Sequence, residues 1–350
     1  MACGIVTNFL GLFLVRAGVA VGEAGCIPPA QSLLSDFFPR RERARAFAIY
    51  SLGSPLSVIA GGFGAGWLNQ YYGWRVTFLV LGCPGLLLAI LARVMLHEPR
   101  LRARPRVEAS TDTHQNGSRH SFLDVARALA ANVTFRHLLF AHTILYFFIY
   151  GVVLQWQPTF FIRTHGFATG ELGTYQLLSW AVMGGFGTYA GGELIHRYLA
   201  NDESRQLRLM AVSIAIFGVM NVLIYLTPNR YLAISLMVLA APFYTGIFGS
   251  LFAINQSVVP EEMRATAVAL MLFFANLLGM GLGGLSVGIL SDALASDYGK
   301  DSLRYALIAL SPGFLWCGVH FWLAARTAAA DIARAQHLSL PGETPGLFQI

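Results

Sequence analysis

Arg16 and Glu23 stand seven residues apart inside one long apolar stretch. On a helix that spacing is about two turns, so both side chains leave the same face. A carboxylate among apolar groups costs several kcal/mol unless it is protonated or paired. Glu23 is therefore a candidate for loading a proton and releasing it as water reaches it from different sides. Its plain alternative is a neutral acid hydrogen-bonded for packing. The planar guanidinium of Arg16 suits a phosphate or carboxylate, or the carbonyls of a neighbouring helix. Pro28-Pro29 then breaks the backbone ladder, as a gating hinge or as a static bend. Further along, His142, Tyr146 and Tyr150 recur at every fourth position, with Gln155 and Gln157 beyond them. That spacing makes one helical stripe, which either contacts a ligand or packs a core. Asn255 and Asn276 are polar groups in later apolar stretches. Each either faces a cavity or bonds a neighbouring helix.

These side chains need elements that lie in lipid. Of 350 residues, 55% are hydrophobic and 12% are charged, about half the charged share of a soluble domain. Blocks at 207–227, 230–258 and 301–327 reach the roughly 20 apolar residues that cross a hydrocarbon core. Backbone groups in lipid must pair internally, so the blocks are helices. The pattern predicts an all-α membrane protein with about nine full spans, near 10–38, 44–68, 74–96, 136–162, 170–198, 207–227, 230–258, 264–291 and 303–326. Residues 1–7 read as the tail of an earlier helix, and 98–132 as a polar, exposed linker. The expected division is a partial N-terminal bundle at 1–96, a linker at 97–135, a six-helix bundle at 136–327 and a tail at 328–350.

Charge placement gives orientation. The net charge is +6, and the basic residues sit at the ends of apolar blocks, which argues for topology and against nucleic acid. Arg40, Arg41, Arg43, Arg45, the run from Arg93 to Arg136, Arg197, Arg205, Arg208, Arg264, Arg326 and Arg334 fall on one side. They outnumber Arg75, Arg163, Arg230, Lys300 and Arg304 on the other. The positive-inside rule then places the linker and C-terminus in the cytoplasm, in a bacterial-type inner membrane. The four cysteines lie in apolar blocks without a CxxC, so neither a metal site nor a disulfide framework is expected. Hydrolase and metalloprotease motifs and a phosphate-binding loop are missing, which points away from an enzyme and towards a process driven by a gradient, with no cofactor.

The segment from Pro39 to Ala48 shares Pro, Arg and three Ala with the segment from Pro260 to Ala269, at equal spacing. Cys83-Pro84-Gly85 and Ser311-Pro312-Gly313 echo each other in the closing helix of each half. Repeated halves are a mark of secondary transporters. The run Arg16-Ala-Gly-Val-Ala-Val-Gly-Glu-Ala-Gly25, with Pro28, Ser35-Asp-Phe-Phe-Pro39 and Arg43-Ala44, resembles the fourth helix of the major facilitator superfamily. Gly61, Gly62 and Gly66 match its Gly-rich fifth helix. Tyr189-Ala-Gly-Gly-Glu-Leu-Ile-His-Arg-Tyr198 resembles the loop motif after the second helix of each half, with His196 where an Asp is usual. The run around Glu23 is most similar to the Spinster-like branch, whose members carry lysolipids or sphingoid phosphates. It is also similar to the branch of anion:cation symporters that take sugar acids and aromatic acids.

The resemblance implies a helical bundle lacking the first two helices and most of the third, hence a fragment or a late gene start. It implies that Arg16 and Glu23 are the substrate-anion and proton-coupling pair, and that His142, Tyr146 and Tyr150 line the central cavity with Asn255 and Asn276. Arg43 and Arg264 become conformational residues, with Asp36, Glu193, His196 and Arg197 as parts of a loop latch. The expected function is secondary transport of an amphipathic or organic anion, with proton symport, by a monomer whose partners are a small-molecule or lipid-like substrate and the bilayer. The alternatives are a sugar-acid or aromatic-acid symporter, and a non-transporting remnant or membrane sensor.

Overall fold

The computed structural model describes residues 1–24, 59–95, 122–200, 202–260 and 263–338, with isolated positions between 25 and 58. Every element of these stretches is helical. The chain divides into two compact units, one of 1–117 with 168–177, the other of 118–167 with 178–350.

In the first unit, a single turn α1 (Ala2–Ile5) precedes α2 (Phe9–Ala24). The Asn8 side chain accepts a hydrogen bond from the Gly11 amide at 2.7 Å, which satisfies one of the open donors of a helix start. A π-helical segment, Ile59–Gly64, runs into α3 (Ala65–Met95). At Gly73 the backbone leaves the helix with φ 77°, a region glycine enters without a Cβ penalty. That break separates the expected spans 44–68 and 74–96.

The second unit opens with α4 (Phe122–Ala131), ten residues inside the stretch read as linker. Ten residues are too few to cross a bilayer, so a reading by span length passes over this helix. Val125 and Leu129, one turn apart, are buried, which gives it an inner face. Asn132 then caps α5 (Val133–His165), accepting from the Phe135 amide at 2.9 Å, and donates to the Val258 carbonyl at 3.2 Å. Gly166, with φ 67°, closes α5 in the left-handed conformation typical of helix ends. Next come α6 (169–198), whose residues up to 177 belong to the first unit, α7 (Glu203–Leu226), α8 (Arg230–Ser257) and α9 (Arg264–Ala293). After a single turn, Ala295–Tyr298, α10 (Ser302–Leu310) and α11 (Gly313–Leu338) finish the unit. Asp202 and Asn229 cap α7 and α8.

Six helices of the described residues are long and apolar enough to cross a membrane: Ile59–Met95, Val133–His165, Glu203–Leu226, Arg230–Ser257, Arg264–Ala293 and Ala295–Ala335. The expected spans 10–38 and 44–68 extend outside the described residues. Residues 170–198 are helical, but their glycines and polar groups keep them out of the six. α11 passes through residue 328, where a tail was expected. Its Ala-rich sequence is a strong helix former, and Ala328, Ile332 and Ala335 are buried.

α11 packs against α5 and α7 through Phe314, Cys317, Phe321 and Ala324, all buried. Small residues here let backbones approach, which is how helices associate in lipid. The far end of α7 is held by Arg304, whose Nε donates to the Tyr225 carbonyl at 2.6 Å and whose guanidinium also reaches the Leu226 carbonyl at 2.8 Å. These carbonyls have no intrahelical partner. Arg304→Ala is expected to lower the stability of the purified protein by about 1–2 kcal/mol. Thermal unfolding in detergent checks this, and an unchanged midpoint would show that the cap is dispensable.

Candidate functional site

Two aromatic stripes meet within the second unit. On α5, His142 stacks on Tyr146 with ring centroids 4.8 Å apart, and Tyr146 lies 4.5 Å from Tyr150. On α8, Phe252 and Phe248 are 5.2 Å apart, and Phe248 and Tyr244 5.7 Å apart. Both stripes step by four residues, one helical turn. They close on each other at both ends. Tyr244 donates its hydroxyl proton to the Tyr150 hydroxyl at 3.2 Å, and Phe252 stands edge-on to His142 at 5.9 Å. Trp180 of α6 abuts Tyr244 edge-on. The stripe on α5 was visible as sequence. Its partner was missed, although Tyr244, Phe248 and Phe252 carry the same spacing.

His142 and Asn255 are buried here, 1% and 2% exposed. Neither ring nitrogen of His142, nor Oδ1 of Asn255, has a hydrogen-bond partner among the described residues. An unmet buried polar atom costs about 1–3 kcal/mol, and native proteins keep such atoms where a ligand, ion or water engages them. Asn276 behaves differently. It is exposed and donates to the Leu272 carbonyl of its own helix at 2.8 Å. It lies in the π-helical segment Ala275–Met280, and two further π segments, Phe147–Val153 and Leu177–Met183, interrupt α5 and α6. Such segments are frequent at functional sites; no sequence pattern announced them.

A second polar group lies deeper in the unit. Gln157 donates to Asn221 Oδ1 at 3.1 Å, Tyr225 donates to the same oxygen at 3.3 Å, and Asn221 donates to the Phe217 carbonyl at 2.9 Å. Gln157 and Asn221, with Ser179 and Trp180, border a small cavity. Asn221 was also missed, although it is a lone amide in an apolar run.

In the first unit, Arg16 and Glu23 lie on α2, both exposed. Neither forms an ion pair or hydrogen bond with the other or with any other described residue. Asp36, Arg43 and Pro28-Pro29 lie outside the described residues. Of the expected latch residues, Glu193 and Arg197 form an ion pair one turn apart at the end of α6, and His196 beside them is exposed. Arg264 donates through Nε to the Gln256 carbonyl at 3.0 Å, near the end of α8. Among the described residues no group of three or more His, Cys, Asp or Glu side chains is placed to hold a metal. Cys3, Cys83 and Cys317 are free thiols.

Membrane-length helices whose packed faces carry imidazole, phenol and amide groups are the build of a multi-pass membrane transporter. The chain belongs to the Major Facilitator Superfamily, whose profile matches residues 1–284. It is 30% identical over 338 residues to an MFS-type efflux pump of Mycolicibacterium smegmatis, an alignment covering 95% of this chain and 75% of the relative. It is 22% identical over 301 residues to a hexuronate transporter of Bacillus subtilis, covering 83% of this chain and 68% of that one. Among solved structures it matches a bacterial homolog to the human lysosomal transporter Spinster, in an inward-facing and unoccupied conformation. That match has a TM-score of 0.78 at 27% identity and covers 94% of this chain and 80% of the other. As a member of this family the protein is a transporter and not an enzyme.

Proposed function

We propose that the chain is a secondary, alternating-access transporter of an amphipathic organic anion, coupled to protons through Glu23. The observation that carries the reading is the pair Arg16 and Glu23 on apolar α2, neither of them partnered by another described residue. Charged groups in an apolar helix are tolerated where water or a ligand meets them. Arg16 would hold the anionic head, and Glu23 would carry the proton. Within the second unit, the facing stripes of α5 and α8, with His142, Tyr146 and Tyr150, are aromatic surface of the kind amphipathic molecules contact, and Asn255 offers an amide. Asn276, bonded within its own helix, would join only after that bond opens. The resemblance of the run around Glu23 to the Spinster-like branch favours a lipid-like anion. Likeness to a hexuronate transporter supports a second reading, a sugar-acid symporter.

On the same reading the protein works as a monomer in a bacterial-type inner membrane, with 97–135 and the C-terminal end cytoplasmic. Asp36, Arg43, Glu193, His196, Arg197 and Arg264 would latch the cytoplasmic loops.

The test is uptake into proteoliposomes under an imposed pH gradient, with a lysophospholipid and a hexuronate as labelled substrates. The expected result is gradient-driven uptake of the lysophospholipid. Arg16→Ala should raise its half-saturating concentration about tenfold or more, the loss of one charged hydrogen bond. Preference for the hexuronate would replace the lipid reading by the sugar-acid one. Flux of neither substrate, or flux indifferent to the gradient and to Arg16, would overturn the proposal.

A further inference from the structure

His137 and His320 belong to neither aromatic stripe. They face each other between α5 and α11, Nδ1 to Nδ1 at 3.1 Å, with ring centroids 5.3 Å apart. Two imidazoles at that distance share one proton, one ring donating and the other accepting. The same two lone pairs fit a metal ion. Zn–N bonds of 2.0–2.1 Å at a tetrahedral angle set the nitrogens about 3.3–3.4 Å apart, and a square-planar angle sets them about 2.9 Å apart. The observed spacing lies between.

The pair is held rather than loose. Phe140 and Trp316 flank the His320 ring, with centroids at 5.4 and 6.0 Å. To one side, Cys317 donates to the Ala141 carbonyl at 3.3 Å. To the other, the Thr134 and Thr327 hydroxyls are 2.6 Å apart, and the Asp331 carboxylate accepts from the Thr134 amide at 3.1 Å. Both helices are thus fixed above and below the imidazoles, the preorganisation a metal site needs. Both rings are half-buried, and His137 lies about 7–8 Å along its helix from the capping residue. One side of the pair is therefore not covered by the described chain, and a cation held there would complete its shell with water.

We propose that His137 and His320 form a two-histidine site for a divalent transition-metal cation of the zinc class, which on binding pins α5 to α11. The cation displaces the shared proton, which passes through water to Nε2 of the same ring, so that both imidazoles stay neutral and both Nδ1 atoms become ligands.

The test uses the full chain, free of any affinity tag, stripped with a chelator and held in nanodiscs. Calorimetric titration with Zn2+ should show one equivalent per chain. His137→Asn and His320→Asn should each weaken binding by at least about tenfold, while His165→Asn at the far end of α5 should not. Zinc X-ray absorption of the loaded wild type should show two imidazoles at about 2.0–2.1 Å, a readout that stands even if the variants fail to fold. Absence of stoichiometric binding by the folded wild type overturns the proposal. So does binding unchanged in both single variants, or a spectrum with fewer than two imidazoles.

Discussion

In proteoliposomes, Glu23→Gln is expected to abolish proton-driven accumulation while leaving a folded, membrane-inserted protein. A gradient of one pH unit stores about 1.4 kcal/mol per proton, which supports about tenfold accumulation of a substrate carried with one proton. Glutamine keeps the size and hydrogen-bonding shape of the acid but has no proton to exchange. The variant should bring substrate only to equal concentrations on the two sides, with or without the gradient. Exchange of substrate for substrate should survive, because it needs no net proton movement. Glu23→Asp retains a titratable group and should keep part of the accumulation. Tenfold accumulation by Glu23→Gln, equal to wild type, would move the proton-carrying role to another residue.

The fold was largely legible because its signal is length. A run of about 20 apolar residues can only be a helix in lipid, and the run at 207–227 lies almost wholly within α7, Glu203–Leu226. What length cannot show is which face turns inward, since a helix apolar all round has no marked side. The stripe of His142, Tyr146 and Tyr150 announced itself because polar atoms interrupt an apolar run. Phe248 and Phe252 carry none and vanished into the background, although they complete the same arrangement. Asn255 and Asn276 read alike in the sequence. The structure buries one and leaves the other bonded to its own helix. The helix Phe122–Ala131 was hidden by its length, since ten residues beside a polar stretch are too few to register as a span. His137 and His320 are 183 residues apart, and no local pattern foretells their meeting.

Gly283→Leu is expected to unfold the second unit at a markedly lower temperature than wild type, because it forces apart the two helices that carry most of these features. A Cβ built on Gly283 would press on the Phe147 carbonyl oxygen and lie 3.0 Å from the Gly151 Cα, and one on Gly279 would lie 2.9 Å from the Tyr146 Cβ. Both separations are far inside van der Waals contact. The obstacles are backbone and Cβ atoms, which cannot swing aside as the end of a side chain can. Gly279 and Gly283 are four residues apart on one face of α9, a small-residue pair of the kind that brings helices together in membranes. A leucine at 283 must widen the crossing, shifting the segment that bears Tyr146 and Tyr150. Overpacking costs about 1–3 kcal/mol where neighbours can relax, and more where they cannot. The control lies two residues away: a Cβ on Gly281 meets nothing nearer than a carbonyl oxygen at 3.6 Å. Gly281→Leu should be neutral, or stabilising by about 0.5–1 kcal/mol through helix propensity. Cys317 is buried between α11 and α5 and bonded to Ala141, so in a chain whose other three cysteines are replaced by alanine its labelling by a thiol-reactive dye reports the unfolding of this unit. Gly283→Leu should expose it several degrees earlier than Gly281→Leu does. Identical labelling curves for the two variants would mean that α5 and α9 do not cross as closely as Gly151 and Gly283 allow.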